Sequence, residues 1–404
     1  MTLSRAASSL ICTVVAAFLC LVSMPASAQY TLGAAFIIVT NNGAITITGY
    51  TAPILIGPGT TLDIPDSING YPVTGIATNA FAYCNPTSVT IPAGVTNIGE
   101  GAFEYCLYLT NIAVDAANPN YTNVGGMLFN SPMTLLLADP AGLMTASYII
   151  PDSVTRIGAY SFGGCASLAG VTIPTSVTSI DDGAFYECLG LTNIMIPDSV
   201  TNIGSYAFQS TGLISVVIPN GITSISKEAF SACSSLTNVT IGNSVTNIGI
   251  AAFYGSSSLT SVTIPTNVTD IGAWAFWICP ILTNIYFLGN APTTDSSAFS
   301  GDNPTTAYYL PNTTGWDDFS NATGVPIALW LPQAQTTSAS FGVQKNQFGF
   351  NINWASGQTV VVDASTNLLD WQPVQTNILT SGSARFSDPQ WTNYPGRFYR
   401  LRSP

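Results

Sequence analysis

Six cysteines of this sequence keep the same company. Cys84, Cys106, Cys165, Cys188, Cys233 and Cys279 each follow a phenylalanine by three residues, and Thr211 and Ser256 fill that place after two further phenylalanines. Thiols on a fixed spacing could act as nucleophiles, ligate zinc or pair as disulfides. The chain has no histidine, which removes Ser-His and Cys-His nucleophile systems and most catalytic zinc sites. It also has no Cys-x-x-Cys pair. An even number of cysteines in an exported chain suggests disulfides. Exchange with Thr and Ser fits a small buried slot better, and Cys is among the most buried residue types. Reduced, inward-facing thiols are expected, with oxidation of stacked neighbours such as Cys165 and Cys188 left open.

The remaining acid/base candidates are carboxylates. Glycosidic hydrolysis needs two of them facing each other across a cleft. The adjacent pairs are Asp181-Asp182 and Asp317-Asp318, and neighbouring side chains on a strand or turn diverge. They read as solvated turn residues or weak calcium contacts. No catalytic residue, metal site or cofactor is assigned, and the chain is read as non-enzymatic.

The elements that carry these residues repeat. Ala-Phe (once Ser-Phe) ends at Phe81, Phe103, Phe162, Phe185, Phe208, Phe230, Phe253, Phe276 and Phe299, at steps of 22 or 23 residues except for one of 59. Ile-Pro recurs on the same period at Ile91-Pro92, Ile150-Pro151, Ile173-Pro174, Ile196-Pro197, Ile218-Pro219 and Ile264-Pro265. Within one unit, Val239-Thr240-Ile241 alternates as a half-buried strand does. The Pro that follows such a strand cannot donate to a ladder and opens a turn, and Ala-Phe packs inward from a compact turn. One unit cannot bury its own apolar face, so the units must stack. Stacking lines up the outward strand positions Thr172, Met195, Val217, Thr240, Thr263 and Tyr286, flanked by Thr192, Thr237, Thr260 and Thr283. That column is the candidate ligand-binding strip. The alternative is a weakly polar face without a ligand. Ice binding needs a regularity that Met195 and Val217 interrupt. Tyr160, Tyr206, Trp274 and Trp277 fall on the Ala-Phe side and read as packing over neighbouring turns.

The unit Leu-x-x-Val-x-Ile-Pro-x-x-Val-x-x-Ile-Gly-x-x-Ala-Phe-x-x-Cys resembles the BspA-type leucine-rich repeat of bacterial surface proteins. The resemblance covers roughly Leu62 to Ala328. Asn118-Pro-Asn-Tyr121, Gly125-Gly-Met-Leu-Phe129 and Ala138-Asp-Pro-Ala-Gly142 are similar to the extended repeat that interrupts such arrays. The resemblance implies a β-rich repeat solenoid, export, surface display, and adhesion to proteins or glycans without catalysis. This chain departs from typical members in its low charge.

The expected organisation follows. Residues 1–28 are a signal peptide, with Arg5 as its cationic region, an apolar stretch from Leu10 to Val22 and Ala26-Ser27-Ala28 as the cleavage site. Residues 29–61 are an amino-terminal cap. The solenoid spans 62–331, with the extended repeat at 115–149 and a carboxy-terminal cap at 286–331. Residues 332–340 are a polar linker, and 341–404 form a small all-β, sandwich-like domain. That last domain resembles a carboxy-terminal module of secreted environmental-bacterial proteins. It holds Arg385, Arg397, Arg400 and Arg402, which either dock it on the repeats or bind an anionic envelope component.

Composition narrows the partners. Without residues 1–28 the chain keeps seven Lys/Arg against 20 Asp/Glu, a formal charge of −13. That excludes nucleic acid, which needs clustered cations, and argues against docking on anionic lipid. The stretch Leu10 to Val22 is too short to span a bilayer comfortably, and no other apolar run of about 20 residues exists to insert after signal cleavage. The function expected is a secreted or cell-surface binding or adhesion protein, monomeric, with an extracellular protein or polysaccharide as partner. The alternatives are a structural envelope spacer anchored by the last domain, or a glycan-active enzyme.

Overall fold

The structure is a computed structural model describing residues 36–50, 59–301 and 305–404. The expected signal peptide (1–28), and residues 29–35 and 51–58 of the expected amino-terminal cap, lie outside the described residues. Contacts divide the chain into two compact units. One runs to Thr145 and includes Ser153–Ala166; the other comprises Ala146–Asp152 and Ser167–Pro404.

Both units are made of the same solenoid turn, and each turn carries two short strands. In the second unit the first strands include Gly170–Thr172, Asn193–Met195, Ser215–Ile218, Asn238–Ile241, Ser261–Ile264 and Asn284–Phe287. The second strands are two residues long, as at Ser224–Ile225, Asn247–Ile248 and Asp270–Ile271. Pairing is parallel and runs from one repeat to the next, Val216 opposite Val239, Val262 opposite Ile285 and Ile225 opposite Ile248. Along Asn238–Ile241 exposure alternates, with Val239 and Ile241 inside. The Ile of each second strand is buried as well. Each turn therefore feeds the core of its own unit from two sides.

The Ala-Phe corner supplies the third side. The buried rings stack: Phe185 on Phe208 at 5.2 Å, Phe208 on Phe230 at 5.3 Å, Phe230 on Phe253 at 5.6 Å and Phe253 on Phe276 at 5.3 Å, all within 11° of parallel. Strand spacing of about 4.8 Å sets this repeat distance, and parallel rings at such spacing are near the offset-stacked optimum. The backbone around each Phe is a run of tight turns that also bonds forward to the next repeat. Glu228, Phe230 and Ala232 donate N–H to the carbonyls of Ile250, Ala252 and Tyr254. A helical turn would aim those groups along its own axis. Here the residues two before and two after the Ala-Phe or Ser-Phe phenylalanines from Phe81 to Phe276 are left-handed instead, among them Glu228 (φ 54°), Ala232 (φ 55°), Trp274 (φ 58°) and Ile278 (φ 55°). Such conformations cost non-glycine residues about 1–2 kcal/mol each, offset by the ladder they complete.

Each unit covers one end of its own stack. In the first unit Phe36, on the hairpin Phe36–Asn41 and Ala44–Tyr50, sets its edge against Phe81 at 6.3 Å. In the second unit the helix Trp316–Thr323 brings Phe319 against Phe299 and Phe287, and Trp316 against Phe287. Gly315 (φ 88°) and Gly324 (φ 73°) bound this helix. Asp317 and Asp318 lie in its first turn, where the helix dipole favours negative charge; the sequence placed them on a turn. The extended repeat inserts the hairpin Tyr121–Val124 and Met127–Asn130 and then Leu135–Ala138.

The six thiols form no disulfide among the described residues and are buried. They do more than fill space, because the slot carries a donor. Sγ of Cys106 donates to the carbonyl of Phe81 at 3.2 Å, Cys233 to Phe208 at 3.1 Å, and Oγ of Ser256 to Phe230 at 3.5 Å. Each bond reaches the preceding repeat, so Cys and Ser share an X–H group. Burial pushes the thiols of Cys84 and Cys233 up to about 11 and that of Cys279 to about 12. They stay neutral at ordinary pH, and the stability they add is lost as pH rises from the usual thiol value through 11–12.

One buried carboxyl stands apart. Asp139 accepts the Cys165 thiol on Oδ2 at 3.4 Å, while its buried Oδ1 and the buried hydroxyl of Ser161 have no hydrogen-bond partner. Burial pushes Asp139 up to about 7, against the lowering effect of the thiol bond.

The residues after Trp330 form two antiparallel sheets over one core. Gln347–Asn353 pairs with Gln333–Gln335, Gly342–Gln344 and Ser383–Asp388; Thr359–Ser365 pairs with Gln372–Ile378 and Phe398–Arg402. Phe350, Ile352, Trp354, Val360, Val362, Leu379 and Phe386 fill the space between, together with Leu310 of the repeat cap. The stretch 332–340, expected to be a linker, instead contributes the strand Gln333–Gln335. Its alternating Gln and Ala look like a tether in isolation and become a strand because Gln347–Asn353 offers it an edge.

Two measurements check this packing. With no histidine present, Asp139 should dominate stability changes between pH 4 and pH 8. Its raised value makes the stabilisation full below about pH 4 and lost as pH climbs through 7, up to the order of 4 kcal/mol. Tm should fall across that window and Asp139→Asn should flatten the slope; an unaltered slope would assign it to other groups. In the thiol slot, Cys106→Ala should lower stability by about 2 kcal/mol in urea titration and Cys106→Ser by clearly less, equal losses being the contrary result.

Candidate functional site

The outward column exists as a paired register in the second unit. Ile149 lies opposite Thr172 and Thr172 opposite Met195; Val217 lies opposite Thr240; Thr263 lies opposite Tyr286 and Tyr286 opposite Tyr308. Met195 and Val217 occupy equivalent places in successive repeats, joined by the bond from Ile214 N–H to the Thr192 carbonyl.

Its members differ in what they offer. Met195 is 82% exposed and Val217 61%. Thr172, Thr240 and Thr263 are exposed. Tyr286 is only half-exposed. Its ring stacks on Tyr308 at 5.2 Å and leans on Trp330 at 4.5 Å, and burial together with Tyr308 raises its hydroxyl pKa. The column therefore ends in an aromatic cluster of its own.

Two residues of the face escaped the sequence reading. Ile149, 74% exposed, precedes Ile150-Pro151 as Met195 precedes Ile196-Pro197. The marker was visible, but the residue belongs to the strand Ser147–Ile149 that ends the extended repeat. Ile214, 52% exposed, stands where the other repeats have Thr192 and Thr237. Ile149, Met195, Val217 and Ile214 are the aliphatic members of a face that otherwise carries threonines and, at its end, the Tyr286–Tyr308 cluster. Exposed apolar groups gathered on a solvated sheet are informative in a way that scattered ones are not.

Two of the flanking threonines, Thr237 and Thr283, turn out to be structural. Thr237 donates its hydroxyl to the Ile214 carbonyl at 3.0 Å and Thr283 to Thr260 at 3.5 Å; on the second strands Thr246 does so to Thr223 at 3.1 Å and Thr269 to Thr246 at 3.2 Å. Thr at these places joins strand propensity to a hydroxyl that caps the preceding repeat.

The residues suggested for other chemistry are spoken for. Asp181 accepts the Ser179 hydroxyl at 2.8 Å and Asp182 the N–H of Ser205 at 2.7 Å, so the two carboxylates serve separate local bonds. Trp274 and Trp277 pack on each other at 6.1 Å, and Tyr254 meets Trp277 edge-on. Lys227 sits over the ring of Tyr206. Among the described residues no group of three or more Cys, Asp or Glu is placed to hold a metal ion. In the first unit a polar cavity of about 360 Å³ beside the extended repeat is lined by residues including Asp115, Asn118, Tyr121, Asn123 and Ser131. Asn118 uses its side chain to hold the corner, bonding Pro92, Val95, Asn120 and Tyr121.

Comparison with known proteins agrees with this reading of the turns. The family described as the BspA type leucine rich repeat region matches in six copies over residues 61–135, 143–249 and 201–321. No curated protein matches the chain. Among solved structures, the chain is similar to a leucine-rich repeat protein from Eubacterium ventriosum at 22% identity, covering 63% of this chain and 95% of that one with a TM-score of 0.45. It is similar to a leucine rich cell surface protein from Faecalibacterium prausnitzii at 23% identity, with coverage of 76% and 95% and a TM-score of 0.35. A leucine rich repeat protein of T. pallidum matches at 26% identity, with coverage of 57% and 91% and a TM-score of 0.31. With the family match spanning more than half of its residues, the chain belongs to the BspA-type leucine-rich repeat family.

Proposed function

We propose that this chain is an exported, non-catalytic binding protein, working at the cell surface or beyond it, that grips a partner with the outward strand face of its second unit. The observation that carries the reading is the aliphatic patch of Ile149, Met195, Val217 and Ile214. Thr172 and Thr240 border the patch with exposed side chains whose hydroxyls are accessible to a ligand. Family membership supports a repeat-based binding role, as does the expected signal peptide. Among the described residues no helix is long and apolar enough to cross a membrane.

The side chains also favour one ligand class. Sugar rings are gripped by flat aromatic faces, whereas branched and flexible aliphatic groups suit the apolar core of a protein interface. A protein partner is therefore the leading expectation, and a polysaccharide the second.

A binding screen against extracellular proteins and polysaccharides tests it, using the whole chain and the double variant Met195→Ser, Val217→Ser. Burying such side chains contributes about 1.5–3 kcal/mol each, so affinity for a protein ligand should fall at least about tenfold with Tm unchanged. Full binding by the variant would remove the column from the site. No binding by either form to any ligand would favour a structural spacer.

A further inference from the structure

Positive charge is scarce in this chain and concentrated at one end. Residues 341–404 hold Lys345, Arg385, Arg397, Arg400 and Arg402 against Asp363, Asp370 and Asp388, while Arg156 and Lys227 are the only cations between residues 29 and 340. The sequence left these arginines either docking the last domain on the repeats or binding an anionic component. Two are consumed within the domain itself. Arg397 is buried in an ion pair with Asp388 at 2.9 Å. Arg385 donates to the carbonyl of Ser340 at 3.0 Å and to Gln344.

Arg400 and Arg402 differ. They lie two apart on the strand Phe398–Arg402 and so share a face. Each donates its Nε to the same oxygen, Oδ2 of buried Asp363, at 3.0 and 2.9 Å. Desolvation opposes ionisation of Asp363, but the hydrogen bonds and charges of Arg402 and Arg400 outweigh it and hold its pKa below the usual carboxylate value. One carboxylate thus answers two guanidinium groups and leaves one positive charge over. Both arginines remain 40–50% exposed. Among the described residues, only Nη1 of Arg402, of their four terminal Nη groups, has a protein acceptor, the Ser403 carbonyl at 3.4 Å. The two forks are also held still. Asp363 fixes both Nε atoms, and the indole of Trp371 lies 4.6 Å from the Arg400 guanidinium. Trp371 is placed in turn by a bonded loop, its Nε1 donating to the Leu368 carbonyl while Asn367 accepts from Leu369 and Asp370.

We propose that Arg400, Arg402 and Trp371 form a binding site for a carboxylate-bearing saccharide, a hexuronate unit of an acidic polysaccharide. Guanidinium forks match the two coplanar oxygens of a carboxylate, and the arrangement leaves Nη groups outward for it. The indole beside them gives a sugar ring an apolar flank. A lipid headgroup fits less well. Docking on an anionic membrane takes clusters of about 4–8 basic side chains, and this face has two on a chain of strongly negative charge. This site stands apart from the aliphatic patch of the repeats, and either can fail without the other.

Binding of the whole chain to polygalacturonate, measured by calorimetry in moderate salt, tests the proposal, with dextran as neutral control and phosphatidylglycerol vesicles as the lipid arm. Polygalacturonate alone should bind. Arg400→Gln should weaken it at least about tenfold and Trp371→Ala several-fold, with Tm recorded for each. Asp363→Asn removes the carboxylate that fixes both forks and should weaken binding as well. Arg385→Gln, a cation of the same domain held by Ser340 and Gln344, should leave binding unchanged and guards against a merely misfolded Arg400→Gln variant. Equal binding of dextran, preference for the vesicles, no binding of polygalacturonate, or an affinity unmoved by both Arg400→Gln and Asp363→Asn would overturn the assignment.

Discussion

Each turn of this chain must land on the one before it. Strands space the repeats by about 4.8 Å, and everything inside a turn has to repeat at that interval. The stacked phenylalanines obey it with centroid distances of 5.2–5.6 Å along Phe185 to Phe276. A ring of another shape would open a gap above and below itself, so the error would spread to both neighbours. The same constraint explains the left-handed residues on either side of each Phe. They turn backbone N–H groups out of their own turn and into the next, trading local strain for a bond between repeats.

Much of the chemistry suggested by residue type is absorbed by that constraint. Thiols, hydroxyls and carboxylates that could act on a substrate instead satisfy carbonyls and amides of adjacent repeats. Cys106 and Cys233 cap phenylalanine carbonyls, Thr237 and Thr246 cap strand carbonyls, and Asp182 takes the N–H of Ser205. A chain with 7% charged residues has few ionic means of fixing one turn on another. Small hydroxyl and thiol donors do that work while fitting inside a uniform cross-section.

What remains free lies on the outward strand positions and on the last domain. Outward positions see solvent and not the neighbouring core, so stacking leaves their identity unconstrained and Met195, Val217 and Ile149 can stand among threonines. The last domain is constrained differently. Its core takes in Leu310, and Trp354 donates its indole N–H to the Trp330 carbonyl at 2.8 Å. Its arginines are organised by Asp363 and Asp388 from within and not by the acidic repeats.

Period by itself determines the architecture. Ala-Phe and Ile-Pro on a common 22- or 23-residue step required stacked turns, placed Phe, Val and Ile inside, and aligned Thr172 through Tyr286 in one column, because in a solenoid sequence spacing is spatial spacing. Tertiary structure decided whatever depends on contacts that break the period. It showed that Tyr286 is half-covered, because Tyr308 and Trp330 come from the non-repeating cap. It extended the patch to Ile149 and Ile214, one at the edge of the extended repeat and the other in a flanking slot. It made Gln333–Gln335 of the expected linker a strand, since an isolated Gln-Ala-Gln carries no signal of the strand that will pair with it. And it brought Arg400 and Arg402 to Asp363, nearly forty residues away, a meeting set by sheet pairing that no local spacing encodes.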